Sequence, residues 1–148
     1  MQMTLAHIGS LAGRKDVFEV LTQEYMERCA AYAACRTQAF KTEAALLEWV
    51  GKQKGRTAAV TVLLDGRGKQ MSSEAMAAWL GRQRDHGAQH LVFAVGPADG
   101  WSEDARKSAT LLLSLGPMTL AHALARLVIA EQIYRAFTIL AGHPYHRQ

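Results

Sequence analysis

Four apolar runs of strand length, separated by segments with helical spacing, constrain this chain more than any other feature. Met3–Ile8, Ala58–Leu64, Leu91–Val95 and Leu111–Leu115 are short and rich in aliphatic and β-branched residues. Continuous apolar runs of this length suit strands buried on both faces. Between them, Asp16–Ala34 reads as a helix with Asp16 as N-cap and Phe18, Leu21, Tyr25 and Met26 at helical spacing. A weak strand at Arg36–Phe40 and a helix from Glu43 to about Gln53 follow. Ser72 or Ser73 caps a helix that runs to Gly87, and Ser102 opens a short helix with Glu103 and Asp104 in its first turn. After Gly116-Pro117 comes a long final helix, stopped at Gly142. Strands alternating with helices predict an α/β fold: a mainly parallel sheet with helices on both faces. At 148 residues with no linker or repeat, the chain reads as a single domain, 1–148.

Composition narrows the class. With 49% apolar and 20% charged residues, the chain is a folded globule rather than a disordered segment. The opening MQMTLAHIG is too short and too mixed for a signal peptide. The best candidate for a membrane span, Leu120–Leu140, is interrupted by His122, Arg126, Glu131 and Arg135, so no membrane partner is expected. Cys29 and Cys35 have neither redox nor zinc spacing and read as free thiols in a reducing, cytoplasmic setting. A net charge of +4 suits a polyanionic partner. On the final helix, His122 and Arg126 share one face while Glu131 and Arg135 lie opposite, with apolar residues at the remaining angles. A helix apolar nearly all round is buried on more than one side, which predicts a homodimer.

Ligands of open parallel sheets bind beyond the carboxyl ends of the strands. Three glycine-bearing loops leave such ends: Asp65–Gly68, Gly96–Gly100 and Gly116–Thr119, the last two stiffened by Pro97 and Pro117. Neither a Gly-x-Gly-x-x-Gly fingerprint nor a Walker loop nor a Gly-x-Ser-x-Gly elbow is present. His122, His143 and His146 have few carboxylates nearby and distant cysteines, so no metal site is expected. His122 reads alternatively as a residue satisfying backbone groups at a helix start. Glu131 and Arg135, four apart, read as an internal salt bridge. Trp101 suits a core or interface role better than base stacking. Lys52, Lys54 and Arg56 read as a solvated helix end, whereas Arg67 and Lys69 lie beside a ligand loop and are the better RNA candidates. The chain closes on His-Pro-Tyr-His-Arg, two imidazoles, a phenol and a guanidinium, which suggests a site built from the terminus.

The stretches FAVGPADG (93–100), LSLGPMTLAHALARLVIAEQIYRA and HPYHR closely resemble the ribosomal RNA large-subunit methyltransferase H family, as does VLLDGRGKQMSSE (62–74). The resemblance covers the whole chain and is densest after Val62. It implies a SPOUT α/β knot, with a trefoil knot in the C-terminal part, although knots are almost absent from protein folds. It also implies a homodimer that uses S-adenosyl-L-methionine to methylate N3 of a pseudouridine in a 23S rRNA stem-loop on the assembled ribosome, with no DNA partner. By matching motif, the cofactor-binding residues are Leu64, Gly96, Leu115, Gly116, Pro117, Met118, Thr119 and Leu120. Pro97 stands where many members have a second glycine and removes an amide donor.

Methyl transfer from a sulfonium is an in-line displacement that depends on positioning, and the proton on N3 must leave. An imidazole, with an ordinary pKa of about 6.5, suits that task. His146 and His143 are the first candidates and His122 the third. Tyr145 would stack on or hydrogen-bond the target base and Arg147 would hold a phosphate, with Arg126 and Arg135 as alternative charge partners. The tail of one subunit is expected to complete the cofactor pocket of the other. Two alternatives remain open: a non-enzymatic α/β dimer that binds ribosomes, and a SPOUT methyltransferase of different RNA specificity.

Overall fold

The computed structural model describes all residues except 11, 12, 14, 54 and 148, so Lys54 lies outside the described residues. Five strands, β1 (Gln2–Ile8), β2 (Ala34–Phe40), β3 (Val60–Gln70), β4 (His90–Val95) and β5 (Leu111–Ser114), form one sheet in the order β2-β1-β4-β3-β5. Every pairing is parallel, so each connection must cross over. The crossovers carry α1 (Val17–Cys29), α2 (Glu43–Gly51), α3 (Ser73–Asp85) and α4 (Glu103–Ser108), and α5 (His122–Leu140) closes the chain.

Alternation along the strands divides the core in two. Met3, Leu5, Val62, Leu91 and Phe93 point to the face covered by α1, α3 and α5, where Met26, Leu80, Ile129 and Ile133 meet them. Ala6, Ile8, Leu63, Val92 and Ala94 point to the opposite face, covered by Leu46 of α2 and by Trp101 and Ala105 at α4. Helices thus lie on both faces, as the alternating pattern predicts. Among the described residues, no helix is long and apolar enough to cross a membrane. Cys29 and Cys35 are both free, the former buried in the first core.

Three boundaries differ from the expectations. α1 stops at Cys29, not Ala34, because Ala34 and Cys35 pair with Gln2 and Met3 of β1. Ladder hydrogen bonds override the helical propensity of an alanine-rich segment with no breaker. β3 continues through 65–68, expected as a plain loop, but its ladder slips there: Leu64 and Lys69 both align with Leu113. The residues between bulge away from β5. The final helix starts only at His122, so 115–121 stay irregular after Gly116, whose φ of +123° is a conformation glycine favours. At its other end, His143 N–H bonds Thr138 O (2.9 Å) and Gly142 N–H bonds Ile139 O (3.2 Å), with Gly142 at φ +70°. That pair of bonds turns the tail back along the helix.

Gly68 lets the bulged strand pass β5. A Cβ there would lie 2.6 Å from the Leu112 carbonyl carbon and oxygen, and 2.8 Å from Leu113 N, all backbone atoms. Gly66 faces open space. Gly68→Ala is therefore expected to cost roughly 1–3 kcal/mol through overpacking. Gly66→Ala is expected to stay within about 0.5 kcal/mol of the parent, as for an unremarkable surface change. Denaturant unfolding of the two variants checks this, and equal losses would contradict the assignment.

Candidate active site

Because β4, β3 and β5 are neighbours in the sheet, the three loops leaving their carboxyl ends lie side by side. Together they enclose a cavity of about 750 Å³, within the roughly 300–1,000 Å³ typical of small-molecule sites. All eight residues carried over as cofactor-binding line it: Leu64, Gly96, Leu115, Gly116, Pro117, Met118, Thr119 and Leu120. Pro97, Asp65, Arg67, Trp101 and His122 line it as well. Met118, 83% exposed, lines it from the outside. Leu64, Leu115 and Leu120 give apolar walls; in the irregular segment that follows, Ser114 Oγ bonds both peptide groups of Gly116 and α5 takes the Ala121 carbonyl, while 117–120 lie outside the helix. Such a wall suits a ligand with an apolar face and hydrogen-bonding edges.

Asp65 anchors one rim. Its side chain, 7% exposed, accepts from Arg67 N (2.8 Å) and from Arg106 Nε (3.0 Å) of α4. Burial pushes the Asp65 carboxyl up, but the Arg67 backbone and side chain together with Arg106 hold it below the usual carboxylate range. Arg67 itself remains largely exposed at the pocket edge.

Beneath the opposite end of the cavity lies a polar cluster that the sequence reading missed. His7, at the carboxyl end of β1, is 3% exposed, and Arg126 of α5 is 5% exposed. The rings of His7 and His122 meet edge to face at 5.6 Å, and Arg126 bonds Glu19 of α1 at 2.6 Å. His7 Nε2 donates to Ser10 O at 3.1 Å, which makes its Nδ1 an acceptor; that atom, His122 Nε2 and Arg126 Nε are buried without a partner among the described residues. His122 is therefore not a helix cap: Ala121 holds the N-cap position without a side-chain bond. The signals for this cluster in the sequence are the shared face of His122 and Arg126 on the final helix and a histidine near the end of the first strand.

The tail lies elsewhere. Glu131 is nine residues beyond His122, which puts it about 13 Å further along the axis and on the opposite face. There Tyr145 donates its hydroxyl to Glu131 (3.0 Å), and its ring packs on Tyr134 with centroids 4.8 Å apart. Arg135 donates to Glu131 and to His146 Nδ1 (3.0 Å), so that nitrogen carries a lone pair; His146 Nε2 then donates to Glu74 at 2.8 Å. His143 Nδ1 accepts from Tyr145 N, and Arg147 is exposed. Burial first, then Tyr25 and Glu131, raise the Tyr145 phenol, which stays neutral and a donor. Of the five residues proposed for catalysis, the structure brings His122 to the cavity; His143, Tyr145, His146 and Arg147 do not line it. The expected Glu131–Arg135 bridge is present.

The buried cluster gives a pH signature. Burial, then Arg126, lowers the His122 pKa; His7 is lowered by burial, against the pull of Ser10 O, and further by Arg126 and His122. The unfolded imidazoles titrate near about 6.5. Below that value the unfolded chain binds more protons than the folded one, so stability falls as pH drops toward the lowered folded values. Melting followed from pH 7.5 to 5 is expected to show this loss, reduced in His7→Leu. An identical pH slope in that variant would contradict it.

The family model described as "Predicted SPOUT methyltransferase" matches residues 1–146. Ribosomal RNA large subunit methyltransferase H of Koribacter versatilis is 48% identical over 146 residues, covering 99% of this chain and 98% of that protein. The protein of the same name from Brucella ovis is 55% identical over 89 residues, 60% of this chain and 53% of its own length. Among solved structures, the SpoU methyltransferase AviRb from Streptomyces viridochromogenes, in complex with the cofactor AdoMet, superposes with a TM-score of 0.51 at 13% identity, over 97% of this chain and 58% of that one. A probable methylase family protein from Haemophilus influenzae gives 0.54 at 6% identity, over 99% and 70%. At those identities the likeness concerns the fold. With a family model spanning nearly its whole length and a full-length relative at close to half identity, this chain belongs to the ribosomal RNA large subunit methyltransferase H family of SPOUT methyltransferases.

Proposed function

We propose that this protein transfers a methyl group from S-adenosyl-L-methionine to N3 of a pseudouridine in a large-subunit rRNA stem-loop on the assembled ribosome. The observation that carries the reading is the convergence of all eight motif-matched residues on one cavity at the carboxyl ends of β3, β4 and β5. The donor set fits the cofactor: leucine walls, the irregular backbone of 117–120, and a volume of about 750 Å³. Leu64, Leu115 and Leu120 would hold its purine, and the 117–120 backbone would read its polar edge. The trefoil knot of the C-terminal part belongs to this reading.

When bound, the cofactor supplies an electrophilic methyl carbon on a sulfonium. The protein's task is to hold N3 in line with that carbon and to accept its proton. His122 sits at the pocket of its own chain, held neutral by burial and by Arg126, and so keeps a basic lone pair at neutral pH. His143 and His146 would arrive from a partner subunit, with Tyr145 against the base and Arg147 on a phosphate. In the single chain both ring nitrogens of His146 are engaged, by Arg135 and Glu74, so docking across a dimer requires exchanging at least one of these bonds.

A homodimer is part of the proposal. Val17 (68%), Phe18 (40%), Val20 (52%) and Leu21 (37%) are exposed together on α1, which packs beside α5. The tail and the pocket occupy opposite faces of α5, so the tail of one chain reaches a pocket most directly in a second copy. Arg67 and Lys69, at and beside the pocket rim, would meet RNA phosphates. A reducing, cytoplasmic setting follows from the substrate.

Labelled S-adenosyl-L-methionine and intact ribosomes from cells lacking the family enzyme test the reaction, with the product nucleotide mapped by mass spectrometry. Label on a stem-loop pseudouridine is expected, with much less on naked rRNA; folded protein that transfers nothing beside a working control would refute the reading. Deleting Pro144–Gln148 is expected to lower turnover by roughly 10²–10⁴-fold, the range for a lost proton-transfer group. Mixing that truncation with a full-tailed subunit whose pocket is blocked by Thr119→Trp should restore activity. Failure of the mixture to exceed its components would place tail and pocket in the same subunit.

A further inference from the structure

Gly96 is one of the motif-matched cofactor residues, and the usual reason for such a glycine is close approach of backbone to ligand. The structure gives a different reason. Gly96 is absent from the glycines with positive φ, so its backbone suits any L-residue. A Cβ at 96 would lie 2.7 Å from Cε2, 2.8 Å from Nε1 and 3.1 Å from Cδ2 of Trp101. These are atoms of a rigid indole that is 6% exposed, so the ring has no easy way to yield.

Trp101 also reaches the adjacent strand β3. Its indole N–H donates to Leu64 O at 2.9 Å, so one side chain touches the exits of both β3 and β4. The residue after it is fastened too. Ser102 caps α4 by accepting from Ala105 N at 3.1 Å, and its N–H and hydroxyl donate to the two Glu43 oxygens of α2, at 2.8 and 2.6 Å. One turn further on, Arg106 holds Asp65, the neighbour of Leu64, at 3.0 Å. The indole is therefore a spacer of fixed length, pinned at its backbone by α2 and α4.

We propose that Trp101 is a positioning residue that sets the gap between Leu64 and Gly96, and that position 96 is glycine for the indole beneath it rather than for the ligand above. One lone pair of Leu64 O is thereby taken by the indole. The proposal rests on the reading that this cavity holds S-adenosyl-L-methionine.

A double-mutant cycle of Gly96→Ala and Trp101→Leu in the full chain tests it, with the Kd for S-adenosyl-L-methionine measured by calorimetry. Gly96→Ala is expected to weaken binding about tenfold in the parent but less than about twofold in the Trp101→Leu background. If Gly96→Ala alone does not fold, cooperative unfolding should return in the double variant. Trp101→Phe, which keeps a ring and loses the N–H, is expected to raise KM for the cofactor and leave KM for ribosomes unchanged. Equal losses from Gly96→Ala in both backgrounds, or no return of folding, would overturn the inference while parental binding remained intact. A parent protein that binds no S-adenosyl-L-methionine would instead overturn the cofactor reading.

Discussion

Parallel pairing of β3 between β4 and β5 is the constraint on which the rest depends. Parallel strands cannot be joined by tight hairpins, so every connection crosses a face of the sheet and every loop that leaves a carboxyl end emerges on the same edge. With β4, β3 and β5 adjacent, three loops far apart in sequence become neighbours. A bulge at 65–68 and an unwound segment at 115–121 then leave room between them. Without the glycine at 68, the bulged strand could not pass the Leu112 backbone, and the rim bearing Asp65 and Arg67 would move.

Charge is distributed unequally around α5. At its amino end, Arg126 is buried with Glu19 and two imidazoles, all ordered from β1, α1 and α5 at once. Removing one member of such a pair typically costs 3–5 kcal/mol, because the other charge is left buried and alone. Around its carboxyl half, Glu131, Arg135, Tyr145, His146 and Glu74 form a half-exposed network on the opposite face. Of these side chains, only Glu74 is largely open to solvent; Glu131, Arg135 and His146 are each less than a quarter exposed. The first arrangement fixes the helix against the sheet, while the second ties the tail to α5 and α3 through side chains alone.

Much of this was legible in the residues. The apolar runs at Met3–Ile8, Leu91–Val95 and Leu111–Leu115 are strands, and Asp16, Ser72 and Ser102 cap helices as their side chains suggest. The motif-matched loop residues form one pocket. Less was visible where long-range contacts compete with local preference. Ala34 and Cys35 follow an unbroken helical pattern and are nonetheless drawn into β2 by β1. His122 is neither a cap nor, in one chain, a neighbour of the tail; it closes a buried cluster with His7, far earlier in the chain. Gly96 lines the pocket as its motif implies, but the indole packed against it, five residues on and across a turn, has no local signal.

By itself the sequence determined the α/β class, the order of elements and the helix caps, because these follow from periodicity, side-chain capping and local turn chemistry; the motif residues came from the resemblance to a known family. Tertiary structure alone decided the strand order, the register slip at Leu64 and Lys69, the burial of His7 with Arg126, and the contact of Trp101 with both Leu64 and Gly96. Each of these depends on which distant backbone or side chain fills the remaining space. Packing at near-crystalline density settles that globally, and no local window of sequence contains it.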